Sequence, residues 1–380
     1  MTWQTVKLGE LARVRTGKLD ANAADENGLY PFFTCAVKPL SINTPAFDCK
    51  AILVAGNGDL NVKYYEGKFN AYQRTYVIES LDEKKLLPRY LYLFLNEYIS
   101  ELRALAIGGV IKYIKLANLT DAPIPLPPLV EQQRIAAILD QTELIKSRRE
   151  LAIEKLEITA QSLFLQMFGD PRLNEKGYEK VSIGQLASDS KGGASLAPED
   201  FIEDGFPILH KGAIKKNGVI SIDARKKTFS SFEYANSNKT HIASKEHVVV
   251  TLRDLVPSGP SIGLAADLQN GEYEEYLLAQ GVYAFILDNI KVLPSYFVCL
   301  SNMPSFRNLL RQYAVGSTQI HIRTPVYFGI NIPLPPIEEQ QLFNKRIIRI
   351  SSISQKLASS ALKFSKFQKS LQSKAFSGQL

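Results

Sequence analysis

Few residues of this 380-residue chain have types and spacings that could do covalent chemistry. Four histidines, His210, His241, His247 and His321, form no His-Glu-x-x-His, and Cys35, Cys49 and Cys299 form no Cys-x-x-Cys, so metal-ligand spacing is absent. Gly17-Lys18, Gly67-Lys68 and Lys211-Gly212 lack the flanking glycine and hydroxyl of a phosphate-binding loop. Gly56-Asn57-Gly58 reads as a turn. There is no Asn/Asp-Pro-Pro-Tyr/Phe segment of the kind that holds a flipped base. The pattern points to a reader or a scaffold without a catalytic centre, so the question becomes what the chain holds in place.

Composition is that of a globular protein, with 45% hydrophobic and 22% charged residues, and the length suits two or three domains. No apolar run approaches the 18 or so residues needed to cross a bilayer, and residues 1–17 do not read as a secretory signal. Three scattered cysteines make no disulfide framework, so a cytoplasmic address is expected. The net charge of +7 is uneven: residues 337–380 carry eight basic side chains against two acidic ones. Such a segment fits a nucleic-acid partner and equally a solvated basic helix face.

The positioning elements are written twice. Ile124-Pro125-Leu126-Pro127-Pro128-Leu129-Val130-Glu131-Gln132-Gln133 is matched by Ile332-Pro333-Leu334-Pro335-Pro336-Ile337-Glu338-Glu339-Gln340-Gln341 at an offset of 208. Without a gap, the same offset pairs Gly108, Ile114 and Lys115 with Gly316, Ile322 and Arg323, and Ser162, Leu163 and Phe168 with Ser370, Leu371 and Phe376. Weaker echoes, such as Pro88-Arg89-Tyr90 against Pro294-Ser295-Tyr296, sit at other offsets, as expected of units that share a plan and differ in loops.

After each Pro-Pro joint comes an acidic first turn and then a long helical periodicity. In the first it runs through Ile135, Ile138, Thr142, Ile145, Arg149, Ala152, Leu156, Thr159 and Leu163. In the second it runs from Phe343 and Ile347 to Leu371 and Ala375. Helices of about 38 residues reach about 57 Å and need a partner along their length. Each is expected to partner the other, with Asp140, Glu143, Glu150, Glu154 and Glu157 of the first relieving the repulsion along the second. Thr142, Arg149, Ser354 and Gln368 weaken that seam and invite further helices. In the first globular region, 51–55 and 74–78 read as strands and 88–105 as a helix. In the second, 206–209, 246–251 and 282–287 read as strands and 304–313 as a helix.

The duplicated joints, Phe168-Gly169-Asp170-Pro171 leading into Asn174-Glu175-Lys176-Gly177, and the ending Lys374-Ala375-Phe376-Ser377-Gly378-Gln379-Leu380 closely resemble the specificity subunit of type I restriction-modification systems, over the whole chain. The resemblance implies an α+β protein. It would have two similar mixed α/β target recognition domains, 1–123 and 170–331, and two conserved long helices, 124–169 and 332–380, packed as an antiparallel, pseudo-twofold coiled coil. It implies no catalysis and no cofactor in this chain. The partners would be double-stranded DNA, two methyltransferase subunits with S-adenosylmethionine, and two restriction subunits with ATP and Mg, and no membrane. Partner contacts are expected at the joints: Pro127, Pro128, Glu131, Gln132, Gln133, Pro335, Pro336, Glu339, Gln340 and Gln341. The isolated subunit is expected to be loosely held until methyltransferase helices stabilise it.

Under that reading each domain reads one half-site of an asymmetric bipartite sequence, and the helix pair sets the spacer. Direct readout uses Arg or Lys for guanine and Asn or Gln for adenine, while Lys, Arg, Ser and Thr also position phosphates. The candidates in the first domain are Asn57, Asn61, Lys63, Tyr64, Gln73, Arg74, Lys112 and Lys115. In the second they are Lys211, Lys215, Lys216, Arg253, Ser317, Thr318, Gln319, His321 and Arg323. The matched segments 108–115 and 316–323 combine a glycine entry with polar residues and end in a base, so they rank first. Arg225-Lys226-Lys227 reads as solvated or as a phosphate contact. Two alternatives remain: a recognition subunit of a fused restriction-methylation enzyme that cuts on both sides of its site, and a coiled-coil adaptor for proteins or RNA.

Overall fold

The computed structural model describes residues 3–223, 226–255 and 259–380. The chain divides into two compact units, Met1–Glu150 with Ser359–Leu380, and Leu151–Ala358. These units cut across the four sequence segments, because each takes in the start of one long helix and the end of the other.

In the first unit a six-stranded sheet runs in the order 12–16, 75–80, 47–55, 62–71, 30–33, 40–42. Val62–Ala71 pairs antiparallel with Phe47–Ala55 and, at its far end, parallel with Tyr30–Phe33. The helix Pro88–Leu105 covers one face, burying Tyr90, Leu91, Phe94, Leu95 and Leu102, and Pro88 enters where a missing N–H costs little. In the second unit the long strand's role is split. Ala265–Asp267 pairs antiparallel with Val248–Thr251, while Glu275–Leu278 pairs parallel with Phe206–Leu209, giving two four-stranded sheets. The covering helix is split too, into Pro294–Asn302 and Pro304–Gln312. Met303 is extended (φ −60°, ψ 131°), the conformation that a following proline favours. Helix 294–302 and strand 62–71 escaped the sequence reading.

The long helices span Leu129–Phe168 and Ile337–Ser377, about 60 Å each at 1.5 Å per residue. Their segments run antiparallel within each unit. In the first unit the Arg134 guanidinium donates to the Leu380 carbonyl (2.9 Å), and the Arg149 guanidinium donates to that of Ser360 (3.2 Å) and lies 4.5 Å over Phe364. In the second, Phe164 and Phe168 pack edge-on against Phe343, 5.8 and 5.3 Å away. Deep burial is sparse along the helix middles: on the first helix no residue between Thr142 and Phe164 is buried, and on the second, among the described residues between Phe343 and Ala375, Ser354 and Gln368 are.

The expected charge pairing is not what forms. Asp140 and Glu143 bind Arg89 of the covering helix (2.6 and 3.2 Å), and Glu131 binds Arg134 of its own turn. Arg89 is the nearer partner, held in place by its stack over Tyr92 at 4.6 Å. Lys345, Arg346, Arg349, Lys356, Lys363, Lys366, Lys369 and Lys374 make no salt bridge among the described residues and stay exposed.

The joints are alike in atomic detail. A strand at Thr5–Lys7 pairs with Pro123–Pro125, and one at Glu179–Ser182 pairs with Asn331–Leu334, both antiparallel. Gln132 accepts from the Leu87 N–H (2.9 Å) and donates to the carbonyls of Lys85 (2.7 Å) and Pro127 (2.9 Å). Gln340 accepts from the Leu293 N–H (2.9 Å) and donates to Lys291 (3.0 Å) and Pro335 (2.8 Å). Tyr90 and Tyr296 hydroxyls donate to the carbonyls of Pro125 (2.8 Å) and Pro333 (2.7 Å). Both glutamines are wholly buried, as an amide must be when three backbone groups depend on it.

Candidate nucleic-acid interface

In the first unit, backbone hydrogen bonds gather five loops at one end of the sheet. Gly56 N–H donates to Arg74 (2.8 Å), Gly58 to Lys112 (2.9 Å), Tyr72 to Phe33 (2.9 Å), Gln73 to Leu19 (2.9 Å) and Ile114 to Gly56 (2.9 Å). Asn57, Asn61, Lys63, Gln73, Arg74 and Lys112 are therefore brought together. Their roles divide by what they already hold. Asn61 donates to the carbonyls of Cys35 (2.8 Å) and Asp59 (2.9 Å), and Lys63 donates to Asn61 and to the Thr34 carbonyl (3.3 Å). Burial pushes the Lys63 ammonium below its ordinary value. These two tie the 34–36 loop to the sheet. Gln73 donates to Asp20 (3.2 Å), while Arg74 and Lys112 are exposed and make no salt bridge among the described residues. Lys18 and Lys38 join the same loops, also exposed, and were missed because only the fold brings 17–20 and 34–39 beside 72–74.

Tyr64 is not in this group. Neighbours along a strand face opposite ways, so Tyr64 turns to the covering helix, against Tyr92 (6.1 Å) and under Arg89. Lys115 is exposed just beyond the group, its N–H capped by Asn118 (2.7 Å).

The second unit builds the same frame. Leu252 N–H donates to Gly281 (2.9 Å), Ile322 to Leu252 (2.9 Å), Ala194 to Leu278 (2.8 Å) and Ala279 to Leu209 (3.0 Å). Arg253–Leu255 pairs with Gln319–His321, which sets Arg253 opposite His321 and Leu255 opposite Gln319. Ser317, Thr318 and Gln319 are exposed beside them, and Arg323 follows, exposed at the start of helix 324–328.

Here the frame has a brace that the sequence did not reveal. Asp254, 3% exposed, accepts from the N–H groups of Leu255 (2.8 Å) and Ser261 (2.5 Å) and from Lys211 (2.7 Å). Burial pushes this carboxyl up, but the Lys211, Ser261 and Leu255 donors outweigh it and hold it below the usual carboxylate range. Lys211 is thus spent as a counter-ion, where a free base reader was expected. Arg307, mostly buried, donates to the carbonyls of Ile262 (2.9 Å) and Pro260 and fixes the same loop; burial lowers it to about 10.

Two other candidates lie elsewhere. Lys215 donates to the Gly212 carbonyl (2.7 Å), and Lys216 lines a groove of about 550 Å³ with Glu157, Gln161 and Gln355 of the long helices, away from the 315–323 hairpin. Lys226 and Lys227 are exposed; Arg225 lies outside the described residues.

The joint residues expected to meet partners divide in the same way. Gln132, Gln340, Pro127 and Pro335 are buried inside their own units and offer nothing to a partner, because the latch consumes them. Glu131 is taken by Arg134, and Glu339 accepts from the Tyr178 hydroxyl (2.8 Å). Pro128, Gln133, Pro336 and Gln341 remain exposed. Among the described residues no three His, Cys, Asp or Glu side chains gather as a metal site, and no helix is long and apolar enough to cross a membrane.

Comparison with known proteins accounts for the duplicated frame. The model of the type I restriction modification DNA specificity domain matches residues 1–155 and again 175–358. Over 152 residues the chain is 49% identical to the type I restriction enzyme EcoDI specificity subunit of Escherichia coli, a match spanning 39% of this chain and 34% of that relative. It is 26% identical over 376 residues to the MjaVIII specificity subunit of Methanocaldococcus jannaschii, covering 92% of this chain and 86% of the relative. In fold it is similar to the crystal structure of the type I restriction-modification S subunit from M. genitalium, with a TM-score of 0.62, 18% identity and coverage of 99% and 96%. With its twofold match to the domain model and its two sheet-based units carrying equivalent loop frames, the chain belongs to the family of type I restriction-modification DNA specificity subunits.

Proposed function

We propose that this chain reads an asymmetric bipartite DNA sequence, one half-site per unit, and directs adenine N6-methylation or restriction by two methyltransferase and two restriction subunits. Those partners would supply S-adenosylmethionine, ATP and Mg, and the complex would act in the cytoplasm. The observation that carries the reading is one loop frame built twice, with different side chains exposed on it. A constant backbone lattice with changing donors and acceptors is what two unlike half-sites require.

The helices support the rest. Leu144, Leu151, Ile158 and Leu165 of the first are 40–54% exposed and recur every seven residues, an apolar row left unburied among the described residues that suits helices of the methyltransferase subunits. Their length, common to both units, suits a spacer ruler.

A strand-resolved map of N6-methyladenine in the source genome, with and without the gene, tests the reading. Loss of one asymmetric bipartite motif is expected, and an unchanged map in cells that express active partners would overturn it. Lengthening the first long helix by four residues should lengthen the spacer alone; an altered half-site would sink the ruler.

A further inference from the structure

The hairpins that close the two loop frames share a backbone and differ in chemistry. Ile107 and Tyr113 exchange backbone hydrogen bonds at 3.0 and 2.9 Å, as Val315 and His321 do at 2.9 Å each. Each hairpin is entered through a glycine at positive φ, Gly108 (+115°) and Gly316 (+125°), where a Cβ would strike the carbonyl oxygen of Ile111 or Gln319. The shoulders match in exposure, Leu105 at 46% and Ile107 at 43% against Tyr313 and Val315 at 45% each.

The tips do not match. Val110 is fully exposed and Ile111 is 61% exposed, where the second unit has Thr318 and Gln319 at the same places. Val110 and Ile111 add little to this unit's core, so their apolar character points outward, to a surface they meet. Lys112 stands beside them, and its carbonyl joins the hairpin to the Asn57-Gly58 turn, so the tip belongs to the same frame as Arg74 and Gln73. Among base edges in the major groove the thymine C5-methyl is the apolar group.

We infer that Val110 and Ile111 read thymine methyl groups in the first unit's half-site, whereas the second unit's hairpin reads by hydrogen bonds from Thr318 and Gln319. This rests on the proposed DNA-reading role of the loop frames. It assigns a specificity-determining pair to a unit whose polar candidates are partly consumed in holding loops.

The test uses the complex assembled with its methyltransferase partners and duplexes in which thymines of one half-site are replaced by deoxyuridine, which lacks only the methyl. Each contacted methyl removed from the first unit's half-site should weaken binding by about 4-fold. The V110S/I111S double variant should bind dT and dU duplexes equally, while its response to dU in the other half-site stays that of the wild type. Wild-type complex that binds its site but ignores dU in that half-site overturns the inference, as does a first half-site without thymine. So does a variant that keeps the full dU effect, or one that no longer assembles with the methyltransferase partners, which would make the tip a protein contact. Absence of any site-specific binding by the wild-type complex would instead remove the DNA-reading role on which the inference stands.

Discussion

At the joints the two units use the same residue types on the same backbone groups, with Gln132 bridging Leu87, Lys85 and Pro127 as Gln340 bridges Leu293, Lys291 and Pro335. At the opposite task, holding the reading loops, they diverge. The first unit ties its 34–36 loop through Asn61 and Lys63, and the second joins Ser261 to the buried Asp254, with Lys211 as counter-ion. The joint must seat a helix whose geometry is common to both units, so it has one solution. Under the proposed function a reading loop would have to suit its own half-site, so each unit would need its own.

The largest expected effect follows from that division. Replacing residues 1–123 by the same region of a relative should change one half-site completely and leave the other intact in a methylation map; a change in both would mean the units do not read independently.

Next come the latches. Gln132→Leu and Gln340→Leu each orphan one N–H and two carbonyls, which should cost about 2–4 kcal/mol in denaturant unfolding, alike within about 1 kcal/mol for the two sites. A much smaller loss at one site would show that water replaces the amide there.

Asp254→Asn should lower recognition of the second half-site by about 10-fold, on the scale of breaking a partly buried charge pair, and spare the first. If binding tightens instead, Lys211 is a DNA contact that Asp254 holds back. Because the folded pKa of Asp254 is depressed, its contribution is complete above about pH 4 and is lost only as pH falls through the still lower folded value.

The smallest effects belong to the exposed cations. Arg74→Ala and Lys112→Ala should each reduce the salt dependence of binding by about one unit of slope, without altering the half-site if they contact only phosphates. A change of base preference would make either residue a reader.

Local signals carried much of this architecture. Pro-Leu-Pro-Pro followed by an acidic turn marks both helix entries, and the gapless offset over the joints and helices, Phe168 with Phe376 included, marks two equivalent long helices; that each unit takes in one helix's start and the other's end shows only in the fold. Strand 62–71 was hidden because Tyr64-Tyr65-Glu66-Gly67-Lys68, two adjacent aromatics followed by two charges about a glycine, breaks the apolar alternation, and its two faces meet different neighbours. Gln132 and Gln340 read as surface residues, since nothing local says that the loops at 85–87 and 291–293 return to bury them. Nothing local marks Asp254 either, since two of its donors lie at 211 and 261.

What the sequence by itself determined is the duplication and the helix pair, because those rest on periodicity and spacing along the chain. Which polar residues stay free was decided by the tertiary structure alone. A side chain's role depends on whether distant backbone groups and charges reach it first, as they reach Gln132, Gln340, Lys211 and Asp140 but leave Arg74, Lys112 and the Val110-Ile111 tip to the solvent.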